Sequence, residues 1–200
     1  MIARWISLLL LFSTAPASGH AQKRCYNALE FGAAGDGKTI NTRSIQQAID
    51  KATSSGGGSV CVPAGTFVTG ALRLHSNVDL HLESGAILKG SGRLEDYYLD
   101  GKLVGLLFTQ DAVNVSITGQ RTIDDNGDSF MGLHWGEVRQ PFFTHGVEIS
   151  QFEGVTIDGG RYAAAPHGSR AYPIALRDGK KAHLLVGDTP VFRERVQPAF

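Results

Sequence analysis

Three short stretches of similar sequence decide the fold: NVDLHL at residues 77–82, NVSIT at residues 114–118 and GVEIS at residues 146–150. In each stretch apolar residues alternate with polar ones, which is typical of a β-strand with one buried side and one outward-facing side. Further short strand-like segments, each followed by a turn, lie between them. Such recurrence indicates a stacked repeat, in which a coil buries its inward side chains only against its neighbours. The pattern predicts a mainly β protein built as a solenoid.

An antiparallel β-sandwich is the alternative for a chain with so many short strands. A sandwich would show tight hairpin turns at regular spacing. Asn126-Gly127 is the only strong dipeptide of the hairpin type, and no strand of matching length follows it. The sequence therefore favours the solenoid over the sandwich.

One helix is predicted, from Asn41 to Ser54, with Asn41 or Thr42 as its N-cap. Three glycines at residues 56–58 follow it and tolerate the positive φ that ends a helix. Because its apolar stripe is narrow, the helix is expected to lie on another element instead of forming a bundle. The stripe consists of Ile45, Ala48, Ile49 and Ala52.

The charge balance narrows the range of partners. The 200 residues include 19 Lys and Arg and 19 Asp and Glu, so the formal net charge is zero. Binding to nucleic acid or to an anionic membrane surface relies on a basic excess, so neither is predicted as a partner. Glycine is unusually frequent, at 25 residues, which fits a chain with many tight turns.

Residues 1–21 have the pattern of a secretory signal peptide. Arg4 is followed by an apolar run at residues 5–12 and then by small residues that end at Ala21. The run is too short to span a bilayer, which takes about 20 residues of helix. We expect a secreted or periplasmic protein that begins at Gln22; a buried N-terminal helix is the alternative.

Cys25 and Cys61 are the two cysteines of the sequence. In an exported chain such a pair suggests a disulfide bond. Cys61 lies in the apolar stretch at residues 59–62, so a buried free thiol is the alternative.

Several motifs, in the same order, resemble the N-terminal half of a known family. They are YNALEFGAAGDGKT at residues 26–39, GGGSVCVPAGTF at 56–67, residues 77–88 and TIDDNGD at 122–128. The resemblance is to glycoside hydrolase family 28, the polygalacturonases and rhamnogalacturonases, and to the wider rhamnogalacturonase/epimerase-type, pectate-lyase-like domains. It covers roughly residues 25–158. It implies a single-stranded right-handed parallel β-helix, capped at its N-terminal end by the predicted helix.

The resemblance also implies the placement of particular segments. The strands around Val78, Val115 and Val147 are expected to be parallel neighbours, and Pro63-Ala64-Gly65 is expected to form a corner between sheets. Residues 22–158 would form the β-helical part, and residues 159–200 a divergent or truncated tail. An open C-terminal end could support self-association through unpaired strand edges.

For function, the resemblance implies a polygalacturonase-like hydrolase that cleaves pectic polysaccharide with inversion. A pectate-lyase-like enzyme and a non-catalytic module that binds polysaccharide remain alternatives, because this fold carries all three activities. No cofactor is predicted.

The catalytic motifs of the family are missing from this sequence. The family places its acids in an Asn-Thr-Asp motif and an Asp-Asp pair, followed by Gly-His-Gly and Arg-Ile-Lys. Here the only Asn-Thr is followed by Arg43, and neither Gly-His-Gly nor Arg-Ile-Lys occurs. Asp124-Asp125 matches a structural part of the family pattern, and we interpret it as a pair of turn carboxylates. The catalytic residues are therefore not identified, and the chain alone is expected to be inactive.

His134, Trp135 and Glu137 form the candidate substrate-binding cluster. A Trp ring can stack on a sugar, and the two neighbours can titrate; ordinary packing of the Trp is the alternative. No metal site is predicted, because the histidines show no ligand spacing; calcium bound by the one acidic cluster, as in lyases of this fold, is the weaker alternative. These residues are Asp124, Asp125, Asp128, His145 and His167.

Overall fold

The computed structural model describes residues 25–130, 147–158, 161–162, 174–186, 189 and 191–197. Over these residues the chain forms short β-strands, three 3-10 helices and helix α1 (Thr42–Ser54). The strands are β1 (Cys25–Asn27), β2 (Asp36–Ile40), β3 (Gly58–Val62), β4 (Gly65–Thr69), β5 (Leu72–Arg73), β6 (Val78–Leu82), β7 (Ala86–Gly90), β8 (Tyr98–Leu99), β9 (Lys102–Leu103), β10 (Leu107–Gln110), β11 (Val113–Thr118), β12 (Arg121–Asp124), β13 (Val147–Ser150), β14 (Glu153–Asp158), β15 (Arg161–Tyr162), β16 (Ile174–Leu185) and β17 (Val191–Gln197). The 3-10 helices are Ala28–Phe31, Leu94–Tyr97 and Gly127–Phe130.

The strands stack in parallel from one coil of the chain to the next. One sheet has the order β1-β3-β6-β11-β14-β16-β13-β10-β5, with β17 beside β16, and a second has the order β15-β12-β7-β4-β2. The larger sheet curls back through β16, whose first residues pair with β13 and whose last residues pair with β14. All pairings within these two sheets are parallel. The predicted mainly β, parallel architecture is confirmed, and the antiparallel sandwich is excluded.

The corner predicted at Pro63-Ala64-Gly65 is present. Strand β3 ends at Val62 in the larger sheet, and β4 begins at Gly65 in the smaller one. One prediction of strand order is wrong, however. Val115 lies beside the β6 strand of Val78, as expected, but its neighbour in the next coil is Val155, and Val147 pairs with Leu107. Alternation shows that a strand has a buried side, but it does not show which sheet of the coil the strand joins.

Inward-facing residues of successive coils form the core. Val60 pairs with Leu80, Leu80 with Ile117, and Ile117 with Ile157, and all four side chains are fully buried. Each apolar side chain therefore packs against its equivalent one coil away, as expected for stacked repeats. The predicted strand segments 59–62, 78–82, 113–118 and 155–158 all lie within this array.

Parallel stacking continues beyond residue 158. Strand β16 pairs with β13 and β14, and β17 pairs with β16. The alternation of residues 159–200 is weak in the sequence, yet three further strands, β15, β16 and β17, add to the coils there. The division of the chain at residue 158 stays a prediction.

One backbone conformation recurs at the same point of successive coils of the larger sheet: Asp111 and Gln151 lie between two of its strands, and Asp178 and Arg195 lie within β16 and β17. Asp111, Gln151, Asp178 and Arg195 follow register-matched strand residues and have φ between 50° and 55°. This left-handed conformation costs a residue other than glycine about 1 kcal/mol or more. Its recurrence in four successive coils shows that the corner geometry is imposed by the stacking rather than by residue type.

Helix α1 packs its predicted stripe inward, since Ile45, Ala48, Ile49 and Ala52 are fully buried. The helix is joined to β5 by Gln46, whose side-chain oxygen accepts from the Arg73 N–H at 2.9 Å and whose amide donates to the Arg73 carbonyl at 3.1 Å. None of the helices among the described residues has the length and apolar character that crossing a membrane requires.

Asn41 occupies the N-cap position of the helix, as predicted, and its carbonyl accepts from the Ile45 N–H, but its side chain makes no capping bond. Its side chain turns away from the helix: Oδ1 accepts from the Ala34 N–H at 2.7 Å, and Nδ2 donates to the carbonyls of Ala34 at 3.0 Å and Thr39 at 2.7 Å. The residue is 1% exposed. Asn41 therefore fixes the segment that leads from the first coil into the helix.

We expect Asn41→Ala to lower the free energy of unfolding by about 2–3 kcal/mol, because it leaves buried backbone groups without a partner. Urea unfolding followed by circular dichroism measures the change. Asn27→Ala is the matched control, since Asn27 makes a single exposed hydrogen bond, from the Leu29 N–H at 3.0 Å, and its loss should cost less than about 1 kcal/mol. Equal losses for the two variants would contradict the role given to burial.

Cys25 and Cys61 form a disulfide bond, with their Cα atoms 5.8 Å apart. They belong to β1 and β3, which are paired neighbours. The bond closes a segment that contains β2 and the whole of helix α1. Neither cysteine is a free thiol.

Candidate functional site

The predicted substrate-binding cluster of His134, Trp135 and Glu137 lies outside the described residues. His145 and His167 lie outside them as well. Among the residues that the structure does describe, no group of three or more His, Cys, Asp or Glu side chains is arranged to hold a metal ion.

The Asp124-Asp125 pair ends β12 and serves the turn that follows. Asp124 accepts from the Asn126 N–H at 2.8 Å, and Asp125 accepts from the Gly127 N–H at 3.2 Å. The Asn126 amide in turn donates to the Gly90 carbonyl of the preceding coil at 3.0 Å. The interpretation of the pair as turn carboxylates is confirmed by these bonds.

Tyr97 lies next to this turn and is fully buried. Its hydroxyl donates to the Ser91 carbonyl at 2.9 Å. Burial raises the pKa of Tyr97 well above its usual range, and the negative charge of Asp125 acts in the same direction. The phenol therefore stays protonated at physiological pH and acts as an anchor for the chain between β7 and β8, not as an acid or base.

A chain of polar side chains crosses the outward side of β3, β6 and β11. Asp79 accepts from the Ser59 hydroxyl at 3.1 Å and from the Thr118 hydroxyl at 2.9 Å. The Thr118 oxygen lies 2.8 Å from His81 Nδ1. We call these four residues the Asp79 row. They come from three successive coils. In the register of the sheet, Ser59 of β3 pairs with Asp79 of β6, and His81 of β6 pairs with Thr118 of β11.

The bonds of the Asp79 row fix the tautomer of His81. A threonine hydroxyl has one proton, and the carboxylate of Asp79 can only accept it when ionised. The Thr118 oxygen must then accept from His81, so Nδ1 of the ring carries a proton. In the neutral ring this leaves Nε2 as an acceptor. Ser59 and Asp79 are buried, whereas His81 and Thr118 are partly exposed, so the His81 imidazole is the group of the row that can still accept from a sugar hydroxyl.

The sequence contained the signal for the Asp79 row, although the motif analysis did not single it out. In NVDLHL, Val78, Leu80 and Leu82 point inward, so Asp79 and His81 must point outward. The partner Thr118 could not be identified, because the register between β6 and β11 depends on the length of the intervening insertion.

A groove of about 270 Å³ opens beside the corner between β5 and β6. We call it the Arg73 groove. Its polar lining includes Arg73, His75, Ser76, Asp100 and Gln110, and Phe108 contributes an aromatic ring. Its lining comes mainly from β5, β10 and the segments that follow them, and it includes no residue of the Asp79 row.

Arg73 is the central cation of the Arg73 groove. Its guanidinium carbon lies 5.9 Å from the centre of the Phe108 ring, and one of its nitrogens donates to the Asp100 carboxylate. The hydrogen bond from Arg73, together with its positive charge, lowers the pKa of Asp100. His75 Nε2 lies 3.7 Å from an Asp50 oxygen of helix α1.

Asp100 reaches Arg73 from the tip of a hairpin that sequence analysis did not predict. Strands β8 and β9 are antiparallel, and the two turn residues, Asp100 and Gly101, have φ of 51° and 74°. Positive φ at both positions is typical of a two-residue type I′ turn, for which Asp-Gly is a preferred sequence. The expectation that Asn126-Gly127 is the only hairpin dipeptide is therefore wrong.

The sequence matches one family over most of the strands described above. The family model described as rhamnogalacturonase A/epimerase, pectate lyase-like matches residues 25–151, which is more than half of the chain.

Two curated relatives differ in the reaction that they are named for. Exo-poly-alpha-D-galacturonosidase of Dickeya chrysanthemi is 44% identical over 85 residues, covering 42% of this chain and 14% of the relative. Mannuronan C5-epimerase AlgE4 of Azotobacter vinelandii is 37% identical over 114 residues, covering 54% of this chain and 21% of the relative. The chain thus matches about a fifth or less of the length of these relatives.

A solved structure supports the fold. A hyperthermoactive exopolygalacturonase from Thermotoga maritima superposes with a TM-score of 0.59 at 23% sequence identity, covering 85% of this chain and 54% of that one. At this level of identity the likeness concerns the parallel stacking of strands alone.

Proposed function

Because the chain belongs to the rhamnogalacturonase A/epimerase, pectate lyase-like family, we propose that it is an exported carbohydrate-active protein of the polygalacturonase type, which cleaves pectic cell-wall polysaccharide by inverting hydrolysis. The observation that carries this proposal is the 44% identity with an exo-poly-alpha-D-galacturonosidase over 85 residues. The partly exposed His81 imidazole of the Asp79 row supports binding of a sugar polymer along the stacked coils.

The proposed reaction requires two carboxyl groups. In inverting hydrolysis one carboxylic acid protonates the leaving oxygen, and a carboxylate about 6.5–9.5 Å away takes a proton from the attacking water. Asn-Thr-Asp does not occur in the 200-residue sequence, and its one Asp-Asp pair, Asp124-Asp125, serves a turn. We therefore propose that the catalytic coils are missing from this sequence and that it contributes scaffold and binding surface. His134, Trp135 and Glu137 stay proposed contacts to the substrate.

The finer features of the fold are part of the same proposal. Helix α1 would cap the N-terminal end of the solenoid, which is supported by its bonds to β5 and by the position of β1 at the end of the sheet order. The coils would wind in a right-handed sense, because crossovers between parallel strands of one sheet are right-handed in about 98% of cases.

Export is proposed from residues 1–21 and is supported by the Cys25–Cys61 disulfide, since such bonds persist in oxidising compartments. The partner would be an acidic polysaccharide, with neither nucleic acid nor a membrane involved. Self-association through an open C-terminal end stays a prediction.

A uronan epimerase or lyase is the second candidate, favoured by the 37% identity with a mannuronan C5-epimerase over 114 residues. Both relatives are named for polymers of uronic acids. The substrate class is thus common to both candidates, and the reaction distinguishes them. A non-catalytic binding module is the third outcome.

Incubation of the purified chain with polygalacturonate, and separately with mannuronan, tests these proposals. We expect the chain to bind polygalacturonate and to release no new reducing ends. Reducing ends produced by this chain would refute the proposed absence of the catalytic coils, and ultraviolet absorbance from unsaturated uronate ends would identify a lyase. If the chain bound neither polygalacturonate nor mannuronan, the carbohydrate assignment would be overturned. An in-frame continuation of the gene that encodes Asn-Thr-Asp and Gly-His-Gly would support the hydrolase.

A further inference from the structure

We propose that the Arg73 groove is a binding site for the carboxylate of a uronic acid residue, and that the Asp100 carboxylate occupies this place until the sugar displaces it. The choice of sugar rests on the proposed function, whereas the affinity for a carboxylate follows from the groove itself. This site lies on the β5 and β10 side of the coil, apart from the Asp79 row.

Arg73 is firmly positioned at the foot of the groove. Its backbone N–H and carbonyl are both bonded to the Gln46 side chain of helix α1, and β5 pairs with β10 on the other side. Phe108 is the β10 residue that pairs with Arg73, and its ring faces the Arg73 guanidinium. A guanidinium held in this way can bind a carboxylate through two parallel N–H···O bonds.

Asp100, by contrast, is easily displaced. Its side chain is 77% exposed, and it sits at the turn of the hairpin formed by β8 and β9, which is a two-stranded sheet of its own. An ion pair exposed to this degree contributes little stability, because water and salt compete with it. Another carboxylate that reaches Arg73 can therefore replace Asp100 at little cost.

The remaining lining supplies donors for the rest of a sugar ring. The Ser76 oxygen accepts from the Val113 N–H at 3.0 Å, which leaves its hydroxyl proton available to donate. His75 and Gln110 add polar groups on the same wall. The volume of about 270 Å³ falls just below the usual range for drug-sized ligands and suits a single sugar unit. Asp111 also lines the groove, and its negative charge acts against a bound carboxylate, so binding of a uronate depends on Arg73.

Binding of trigalacturonate to the full chain, measured by calorimetry, tests the site. We expect Arg73→Gln to weaken binding at least about tenfold, because it removes a charge-assisted bidentate contact. Asp100→Asn should tighten binding by up to about fivefold, because it removes the internal competitor. Glu153→Gln is the matched control: it removes an acid whose exposed partner, Lys181 at 3.0 Å, lies elsewhere on the surface, and it should leave the affinity unchanged.

Two outcomes would overturn the site. If Arg73→Gln, shown to be folded by circular dichroism, bound trigalacturonate like the parent, the sugar would bind elsewhere. If Asp100→Asn weakened binding, Asp100 would be a ligand to the sugar and not a competitor for Arg73.

A second measurement separates this site from the proposed function. The Arg73 Nε–H resonance of the Asp100→Asn variant is followed by NMR during titration with acetate and with trigalacturonate. We expect both to shift it. A shift with acetate alone would overturn the choice of sugar, and with it the link to the proposed function, while the carboxylate site would stand. No shift with either anion would overturn the site itself.

Discussion

Gly119→Ala is expected to prevent stable folding, with a loss of more than about 4 kcal/mol in the free energy of unfolding. Gly119 lies in the turn between β11 and β12 with φ of +103°, and a Cβ atom there would overlap the carbonyl oxygen of Leu82 in the preceding coil. The obstacle is backbone, so no side-chain rotation can relieve it. Adjacent coils would have to move apart, although parallel strands must remain about 4.8 Å apart to keep their hydrogen bonds.

Gly56→Ala separates this effect from simple backbone strain. Gly56 has φ of +88°, similar to that of Gly119, but nothing lies within 4 Å of the position that its Cβ would occupy. This variant should lose only about 1–2 kcal/mol, the cost of a left-handed conformation. Urea unfolding and the yield of soluble protein measure both variants. If the two lost the same stability, close stacking of the coils at Gly119 would not be the reason that glycine is needed there.

The alternation of apolar and polar residues indicates strands with one buried side, and the family resemblance implies that they stack in parallel, but neither gives the place of each strand in the coil. Residues 78–82 and 115–117 were correctly expected to be neighbours. Residues 147–150 have the same alternation, yet they belong to the β10 side of the coil. Every strand of a solenoid buries one side in the same way, so the alternation does not identify the sheet to which a strand belongs. That sheet depends on the number of residues in the turns and insertions before the strand. That number is not encoded in a single strand.

Helix α1 was predicted almost to the residue because its signals are local: an apolar stripe at the helical period and three glycines after it. The role of Asn41 was not predicted, because its bonds reach back to Ala34 and Thr39 and depend on the path of the first coil. Capping residues are favoured for their side-chain oxygen, and the same oxygen can serve a loop instead.

The Arg73 groove illustrates the limit for site prediction. Its cation and its acid lie 27 residues apart in the sequence, in a strand and in an insertion. Asp100-Gly101 carries a hairpin signal, but its flanking strands have two residues each and were not recognised as strands. Only the stacking of β5 beside β10 brings Arg73 and Phe108 together. Such a site depends on the register between strands of neighbouring coils, which cannot be read from the sequence of either strand.

Removal of the Cys25–Cys61 disulfide is expected to lower the free energy of unfolding by about 3–4 kcal/mol, in the range for a loop of a few dozen residues. The bond joins residues 36 positions apart, so it restricts the unfolded chain over the whole of the first coil and helix α1. In the folded protein it fastens β1, which pairs with β3 at the end of the sheet order.

The double variant Cys25→Ala/Cys61→Ala tests this in urea unfolding, beside the oxidised parent and the parent in reductant. The variant and the reduced parent should share a lower midpoint, and reductant should leave the variant unchanged. The dependence of the unfolding free energy on urea should also become steeper, because the unfolded chain without the bond exposes more surface. Amide exchange of Tyr26 should quicken more than that of Leu80, since β1 can open without the rest of the coils. Equal midpoints for oxidised and reduced parent would show that packing under helix α1, and not the covalent link, holds the first coil in place.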